Sequence, residues 1–238
     1  MLDSHTDAGI VAPSPTVAWR PQVIAEQSSR PTDPFSLLER LGTKVTVKRG
    51  WEIYAEGDAS DCCYKLVKGT VRTVKLLSNG RRQVCEFLMP GELFGFETQD
   101  NYFFSAEAVT DAVLLRYSKR SVERLIGAEP ALAQQIRCLT SSGLQGAYER
   151  MVLLCHKSAQ QRVAWFLLNI AERSGTYDDD FAILHMTRTD IADYLGMALE
   201  TVSRVLGQFK RNNIISVEGI SRISFKDRDE LVSVCGGD

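Results

Sequence analysis

The residues with the clearest chemistry lie in two short segments near the carboxyl end, 187–196 and 199–211. Glu200, Ser203 and Arg204 occupy positions i, i+3 and i+4, so in a helix they point out from one face. In the major groove of DNA, glutamate can accept a hydrogen bond from cytosine N4, and arginine can donate two to guanine O6 and N7. The spacing predicts a helix that reads base edges, although an ordinary solvated face would have the same pattern.

The surrounding residues predict two helices joined by a tight turn. Thr187 can cap the first helix, and Asp190 three residues later completes a capping-box-like pair. Gly196 suits the left-handed conformation that ends a helix. Ala198 stands where the second helix would prefer a serine or threonine cap, which costs about 0.5–2 kcal/mol of local stability. The buried stripe of the second helix is predicted at Val202, Val205, Leu206 and Phe209. This arrangement is typical of a helix-turn-helix.

Overall charge does not favour a nucleic-acid partner. The 238 residues carry a net charge of −2 with a pI near 6.0. From residue 156 onward the sequence contains 10 Lys and Arg against 12 Asp and Glu. Contacts to DNA phosphates must therefore come from local groups. The predicted phosphate contacts are Thr187, Arg188, Thr189, Thr201 and Lys210.

Composition narrows the class of protein. No apolar run approaches the roughly 18 residues that span a bilayer, and the amino terminus lacks the pattern of a signal peptide. We therefore expect a cytoplasmic protein without a membrane partner. The six cysteines and three histidines follow no ligand spacing, so no metal, iron–sulfur cluster or other cofactor is expected. Cys155, near an expected hinge over 155–159, is the candidate redox thiol; the alternative is a buried, inert thiol.

The chain divides into four predicted regions. Residues 1–33 hold four of the seven prolines and read as a flexible tail. A short helix opens at 34–38, and between 45 and 117 short apolar runs alternate with glycine turns, which indicates a small β-barrel or sandwich over 34–128. Asn79-Gly80 predicts a hairpin between 71–77 and 82–88.

A long helix is predicted over 129–155. One interpretation is a core helix; the other, which we favour, is a helix pair on a two-fold axis, because a symmetric DNA reader needs a symmetric spacer. The predicted dimer seam comprises Ile136, Leu139, Gly143, Leu144, Ala147, Met151 and Leu154, preceded by Leu132. Residues 156–238 then form the DNA-binding domain, with a helix over 161–173 and a two-stranded wing over 214–225.

In this order the elements resemble the catabolite-activator/FNR superfamily of bacterial transcription regulators, over about residues 35–230. The segment 53–58 with Gly69 looks like the glycine signature of a cyclic-nucleotide-binding domain, and 159–164 looks like the entry to the DNA-binding domain. Glu200, Ser203 and Arg204 look like the motif with which the FNR and FixK branch reads a TTGAT-type half-site. Leu199 replaces the arginine of the catabolite-activator branch and joins the predicted base-reading residues.

The resemblance implies an α+β protein with a cyclic-nucleotide-binding-like β-barrel, a long dimerisation helix and a winged helix-turn-helix. It implies a homodimer that binds double-stranded DNA and RNA polymerase, and that is a regulator, not an enzyme. No cysteine precedes Cys62, which argues against the iron–sulfur cluster of FNR and narrows the resemblance to FixK-like regulators.

The cyclic-nucleotide site departs from the family pattern. Phe96 and Phe104 stand where its glutamate and arginine are expected, so we expect a pocket filled by Phe96, Phe103 and Phe104. Two alternatives differ in the ligands that they require. A sensor of haem or cyclic nucleotide would have the same fold, with Cys62, Cys63 or Cys85 as possible haem ligands. A metal-dependent barrel enzyme would need histidines between 45 and 117, where there are none.

Overall fold

The structure is a computed structural model that describes residues 38–97, 99–219 and 221–236. The predicted tail over 1–33 lies outside the described residues. So does the predicted helix at 34–38, apart from Leu38.

Two antiparallel four-stranded sheets form the amino-terminal half. The first has the strand order β1-β8-β3-β6, and the second the order β2-β7-β4-β5. The strands are β1 (Thr43–Val47), β2 (Glu52–Tyr54), β3 (Cys62–Lys68), β4 (Val71–Leu76), β5 (Arg82–Leu88), β6 (Leu93–Phe94), β7 (Ser105–Ala108) and β8 (Ala112–Ser118). Leu66 and Leu114 from one sheet pack against Val71 and Ala106 from the other, and all four are fully buried. The predicted barrel is confirmed.

The hairpin of β4 and β5 forms where Asn79-Gly80 predicts it. Val71 pairs with Leu88, and Leu76 pairs with Arg82. Gly80 has φ +78°, and the Asn79 side-chain oxygen accepts a hydrogen bond from the Arg81 amide at 3.0 Å. The left-handed backbone at the turn explains the need for glycine.

Four aromatic rings fill the space between the two sheets. Tyr54 stacks on Tyr102 with ring centroids 3.7 Å apart, and Tyr64 stacks on Phe94 at 5.3 Å. Our expectation for this pocket was wrong in its residues: Phe96 and Phe103 are exposed and Phe104 is half-buried. Strand alternation explains the difference, because Tyr54, Tyr64 and Phe94 point inward from strands, whereas Phe103 and Phe104 lie in the loop before β7.

Two helices follow the barrel, α1 (Lys119–Ala128) and α2 (Pro130–His156). Pro130 opens α2 at the position where proline's missing N–H costs nothing. At 27 residues α2 is about 40 Å long. It ends at His156, so Cys155 lies inside the helix and the linker shortens to Lys157 and Ser158.

The carboxyl-terminal domain comprises α3 (Ala159–Arg173), β9 (Phe181–Ile183), α4 (Arg188–Leu195), α5 (Leu199–Arg211), β10 (Ile215–Glu218), β11 (Arg222–Phe225) and α6 (Arg228–Gly236). The wing strands β10 and β11 pair as predicted, but β9 adds a third strand beside β11. Neither β9 nor α6 is foreseen in the sequence analysis. Buried Phe166, Leu167 and Ile170 make α3 the centre of this domain.

The barrel and the carboxyl-terminal domain share an apolar core and a half-buried ion cluster. Phe87 of β5 lies between Phe166 of α3 and Tyr194 of α4, with ring centroids 6.1 and 5.2 Å away. Beside these rings Arg173 binds Glu86 at 2.8 Å and Glu92 at 2.7 Å, and Arg150 of α2 binds Glu86 at 2.6 Å. The cluster joins α2 and α3 to β5.

Burial alone would raise the pKa of Glu86, but the charges of Arg173 and Arg150 outweigh it and lower that pKa. Glu86 therefore stays ionised at the domain contact.

The described residues include no helix with the length and apolar character needed to cross a membrane.

Candidate nucleic-acid interface

The amino terminus of α4 is fixed by the capping box that the sequence predicts. The Asp190 amide donates to the Thr187 hydroxyl at 3.1 Å, and the Thr187 amide donates to the Asp190 carboxylate at 3.0 Å. At the other end Gly196 has φ +61°, which lets the chain turn sharply into α5. Ala198 begins α5 without a side-chain cap, as expected.

Helix α5 has one buried face and one solvent-accessible face. Val202, Val205, Leu206 and Phe209 are buried against the domain core. Glu200 and Arg204 are exposed, Ser203 is half-buried, and Leu199 is 39% exposed at the first turn. Neither Glu200 nor Arg204 forms an ion pair with the part of the chain that the structure describes. The predicted base-reading residues therefore share one accessible surface.

Three of the predicted phosphate contacts lie beside this surface. Thr187, Arg188 and Thr189 are exposed at the amino end of α4, where backbone N–H groups and the helix dipole favour an anion. The Arg188 guanidinium donates to the Ser203 hydroxyl at 3.4 Å, so the two predicted sets of residues meet.

The other two predicted phosphate contacts occupy different places. Thr201 is half-buried in the first turn of α5. Lys210 is exposed in the last turn, about 16 Å along the axis from Leu199, so it lies at the opposite end of the helix.

The wing carries a basic residue that the sequence analysis did not single out. Arg222 is half exposed on β11, lies 3.5 Å from Glu218, and places its guanidinium 3.8 Å above the ring of Phe181. The sequence signal that could have identified Arg222 is its basic side chain within the predicted two-stranded wing.

The long helix α2 exposes an apolar stripe in its carboxyl-terminal half. Of the predicted seam, Gly143, Leu144, Ala147 and Met151 are exposed. Tyr148 and Val152, which were not predicted, are also exposed, at 57% and 50%. Nearer the amino end, Leu132 is buried in its own protomer beside Tyr117, and Ile136 packs on the same cluster. Leu139 and Leu154 are half-buried.

The cysteines range from buried through half-buried to exposed thiols. Cys63 is buried in the barrel, and its burial raises the pKa of the thiol to about 12. Cys155 is exposed in the last turn of α2. The alternative that Cys155 is a buried thiol is therefore wrong, because it lies on the solvent side of a long helix, and its redox role stays a prediction.

Comparison with known protein families matches both halves of the chain. A cyclic nucleotide-binding domain matches residues 44–129, and a Crp-like helix-turn-helix domain matches residues 161–234. A cyclic-nucleotide-binding fold, a long helix and a helix-turn-helix DNA-binding domain together define the Crp/FNR transcription regulators, and the chain belongs to that family.

Similar relatives place the chain among FixK-like regulators. The nitrogen fixation regulation protein FixK of Azorhizobium caulinodans is 38% identical over 225 residues, which cover 92% of this chain and 90% of the relative. FixK of Rhizobium meliloti is 38% identical over 191 residues, covering 80% and 86%. The solved structure of FixK2 from Bradyrhizobium japonicum is 35% identical, with a TM-score of 0.78 over 83% of this chain and 98% of that one.

Proposed function

We propose that this chain binds a TTGAT-type palindrome as a homodimer and activates transcription there. The observation that carries the proposal is the surface formed by exposed Glu200 and Arg204 and half-buried Ser203, beside the exposed amino end of α4. Arg204 would bond guanine O6 and N7, Glu200 would accept from cytosine N4, and Leu199 would contact a thymine methyl group. Thr187, Arg188, Thr189, Thr201 and Lys210 would bind phosphates and fix the register of the domain on the duplex.

The apolar stripe of α2 supports the homodimer. Leu144, Tyr148 and Met151 recur at helical spacing, and each is more than half exposed in the single chain. A parallel pairing of two α2 helices would cover these side chains and place two reading helices on one side of the dimer. Two-fold symmetry in the protein then corresponds to a palindrome in the DNA.

The contents of the barrel support binding without a cyclic nucleotide. The stacked rings of Tyr54, Tyr64, Phe94 and Tyr102 occupy the space between the sheets. Near Phe103, the Lys75 ammonium is already bound to Glu56 at 2.7 Å and lies 3.8 Å from the Phe103 ring centroid. Glu97 adds a carboxylate with one buried oxygen that lacks a hydrogen bond. These residues do not fit a phosphodiester, because Lys75 is already paired with Glu56 and the Glu97 carboxylate would repel the phosphate.

The names of the FixK relatives suggest a role in regulating nitrogen fixation, and we extend that role to this chain. Activation would proceed by recruitment of RNA polymerase to a promoter beside the bound palindrome. Transcription in vitro with purified polymerase tests this step: addition of the protein should raise transcript yield from a promoter that carries the palindrome. A fall in yield would identify a repressor instead.

An electrophoretic shift assay tests DNA recognition and nucleotide independence together. Purified protein without added nucleotide should bind a TTGAT palindrome at least about 1,000-fold more tightly than random DNA. Titration with cyclic AMP should leave the Kd unchanged within about twofold. Binding that requires cyclic AMP would contradict nucleotide independence alone. Equal affinity for the palindrome and random DNA would contradict the proposed recognition of the palindrome.

A further inference from the structure

Four charged residues join the barrel hairpin to the first helix of the helix-turn-helix; we call them the latch (Arg72, Arg82, Asp190 and Asp193). Arg72 Nη1 lies 2.7 Å from Asp190 Oδ1, and Arg82 Nη2 lies 2.6 Å from the same oxygen. Arg82 also binds Asp193 Oδ2 at 2.8 Å. Both arginines belong to β4 and β5, more than 100 positions before α4 in the chain, so these bonds connect separate domains.

The latch is more deeply placed than ordinary surface ion pairs. The Asp190 side chain is only 3% exposed, and Gln83 of β5 adds a hydrogen bond to the Asp193 carbonyl. Burial alone would raise the pKa of Asp190, but hydrogen bonds from Thr187 and the charges of Arg72 and Arg82 hold that pKa below the ordinary value. One carboxylate thus caps α4 and also binds α4 to the barrel.

The latch leaves the DNA-facing residues of α4 accessible. Thr187, Arg188 and Thr189 are exposed in the same turn in which Asp190 is buried. The latch therefore leaves these predicted DNA contacts uncovered while α4 is bound to the barrel.

A second set of bonds holds the motif to the long helix. The Arg162 guanidinium donates to the carbonyls of Leu154, at 2.7 Å, and Leu195, at 3.2 Å, so it joins the end of α2 to the end of α4. The latch holds α4 through Asp190 in its first turn and Asp193 in its second, and Arg162 holds its last residue. Two separated attachments fix the direction of a helix, whereas one attachment leaves it free to pivot.

We propose that Arg72 and Arg82 are positioning residues for DNA reading, which hold the helix-turn-helix at a fixed angle to α2 and thereby set the spacing between half-sites that the dimer accepts. The inference rests on the proposed function, because it requires a dimer on a palindrome. One base pair changes the separation of two half-sites by about 3.4 Å and rotates one relative to the other by about 35°. A motif free to pivot would follow such changes; a fixed motif would not.

The test is a spacing series measured with the full chain. The Kd is determined for palindromes with the preferred spacer and with spacers one or two base pairs shorter or longer. For Arg82→Gln, we expect the penalty for a one-base-pair change to fall by about threefold or more relative to the unaltered chain. Affinity for a duplex with a single half-site should change by less than about twofold, because the reading residues are intact.

Matched variants make the result specific to the latch. Arg228→Gln removes an arginine of similar exposure whose ion pair with Asp180, at 3.4 Å, lies within one domain, and it should keep the spacing penalty unchanged. Asp193→Asn removes the negative charge on α4 that Arg82 binds, so it breaks the same contact from the other side. It should lower the penalty as Arg82→Gln does, and the double variant should lower it little further, because the two residues act through one contact. Asp193→Asn also decides the question if Arg82→Gln fails to fold.

The outcomes separate this inference from the proposed function. Unchanged spacing penalties in Arg82→Gln and Asp193→Asn, with normal binding by the unaltered chain, would overturn the positioning role alone. Equal losses on the single half-site and on every spacer would also overturn it, because they indicate general damage to the motif. Failure of the unaltered chain to prefer the palindrome would overturn the proposed function and this inference with it.

Discussion

On the outer surface of α4 and α5, Arg188, Glu200 and Arg204 are exposed to solvent, whereas on the barrel side of α4 the carboxylates of Asp190 and Asp193 are bound by Arg72 and Arg82. The same two-helix motif thus carries ion-paired charges on one side and exposed charges on the other, within a few residues. Charges with partners hold the fold, and exposed charges remain available for a ligand. The difference predicts that stability and DNA binding respond to different substitutions.

The largest effect is expected from Arg173→Ala, in the half-buried ion cluster between the domains. Removal of its guanidinium leaves Glu92 without that partner and Glu86 with Arg150 alone. Breaking a fully buried pair costs about 3–5 kcal/mol of unfolding free energy, and this half-buried cluster should lie toward the lower end of that range. Urea denaturation measures this loss. As a control, Lys48→Ala removes an ion pair that is more than half exposed and should leave the free energy of unfolding nearly unchanged. Equal losses in both variants would contradict the comparison.

Arg204→Ala should have the opposite profile. We expect a loss of about 1–3 kcal/mol in binding to the TTGAT palindrome, because a bidentate contact with guanine is removed. Binding to random DNA and the free energy of unfolding should change little. Arg124→Ala, which removes an exposed arginine from α1, controls for the lost charge. If Arg204→Ala weakened cognate and random DNA alike, the base-reading assignment would be wrong.

Acid should loosen the paired side of the motif. The folded pKa values of Asp190 and Glu86 lie below the ordinary values of 3.8 and 4.5, so both carboxylates contribute stability above those values. That stability is lost as the pH falls through the lowered folded pKa values. The unfolding free energy should therefore decrease below about pH 4.5. In Asp190→Asn the unfolding free energy should be lower at neutral pH and less sensitive to acid. An identical acid dependence in the variant and the unaltered chain would exclude Asp190 as a cause of the acid effect.

The smallest effect concerns Arg188, which is exposed but also donates to Ser203. Arg188→Ala should weaken binding to all sequences alike and reduce the slope of log K against log salt by about one unit, since one phosphate contact is lost. The slope is measured by titration between low and moderate salt concentration. Arg124→Ala should keep the original slope, and an unchanged slope in Arg188→Ala would refute the phosphate contact.

The features that could be predicted from the sequence are those that depend on neighbouring residues. The capping pair of Thr187 and Asp190, the left-handed Gly196 and the turn at Asn79-Gly80 each follow from local backbone chemistry. The apolar stripe of α5 likewise follows from helical periodicity. The order of these elements was sufficient to identify the family.

The features that could not be predicted depend on contacts between distant segments. Nothing in the spacing of Arg82 and Asp193 indicates that they meet, because the barrel and the motif first come together in the folded chain. Strand β9 has three residues and is defined by pairing with β11, so its sequence alone gives a weak signal. The rings that fill the barrel could not be predicted, because no local signal separates Tyr102, which points inward before β7, from the exposed Phe103 beside it.

Selection of bound sequences from random DNA, with purified protein and no added nucleotide, tests the central proposal most directly. We predict enrichment of an inverted repeat with TTGAT half-sites at one spacing, and loss of that enrichment when the selection is repeated with Arg204→Ala. Enrichment of an unrelated sequence, of single half-sites without symmetry, or of no sequence at all would contradict it.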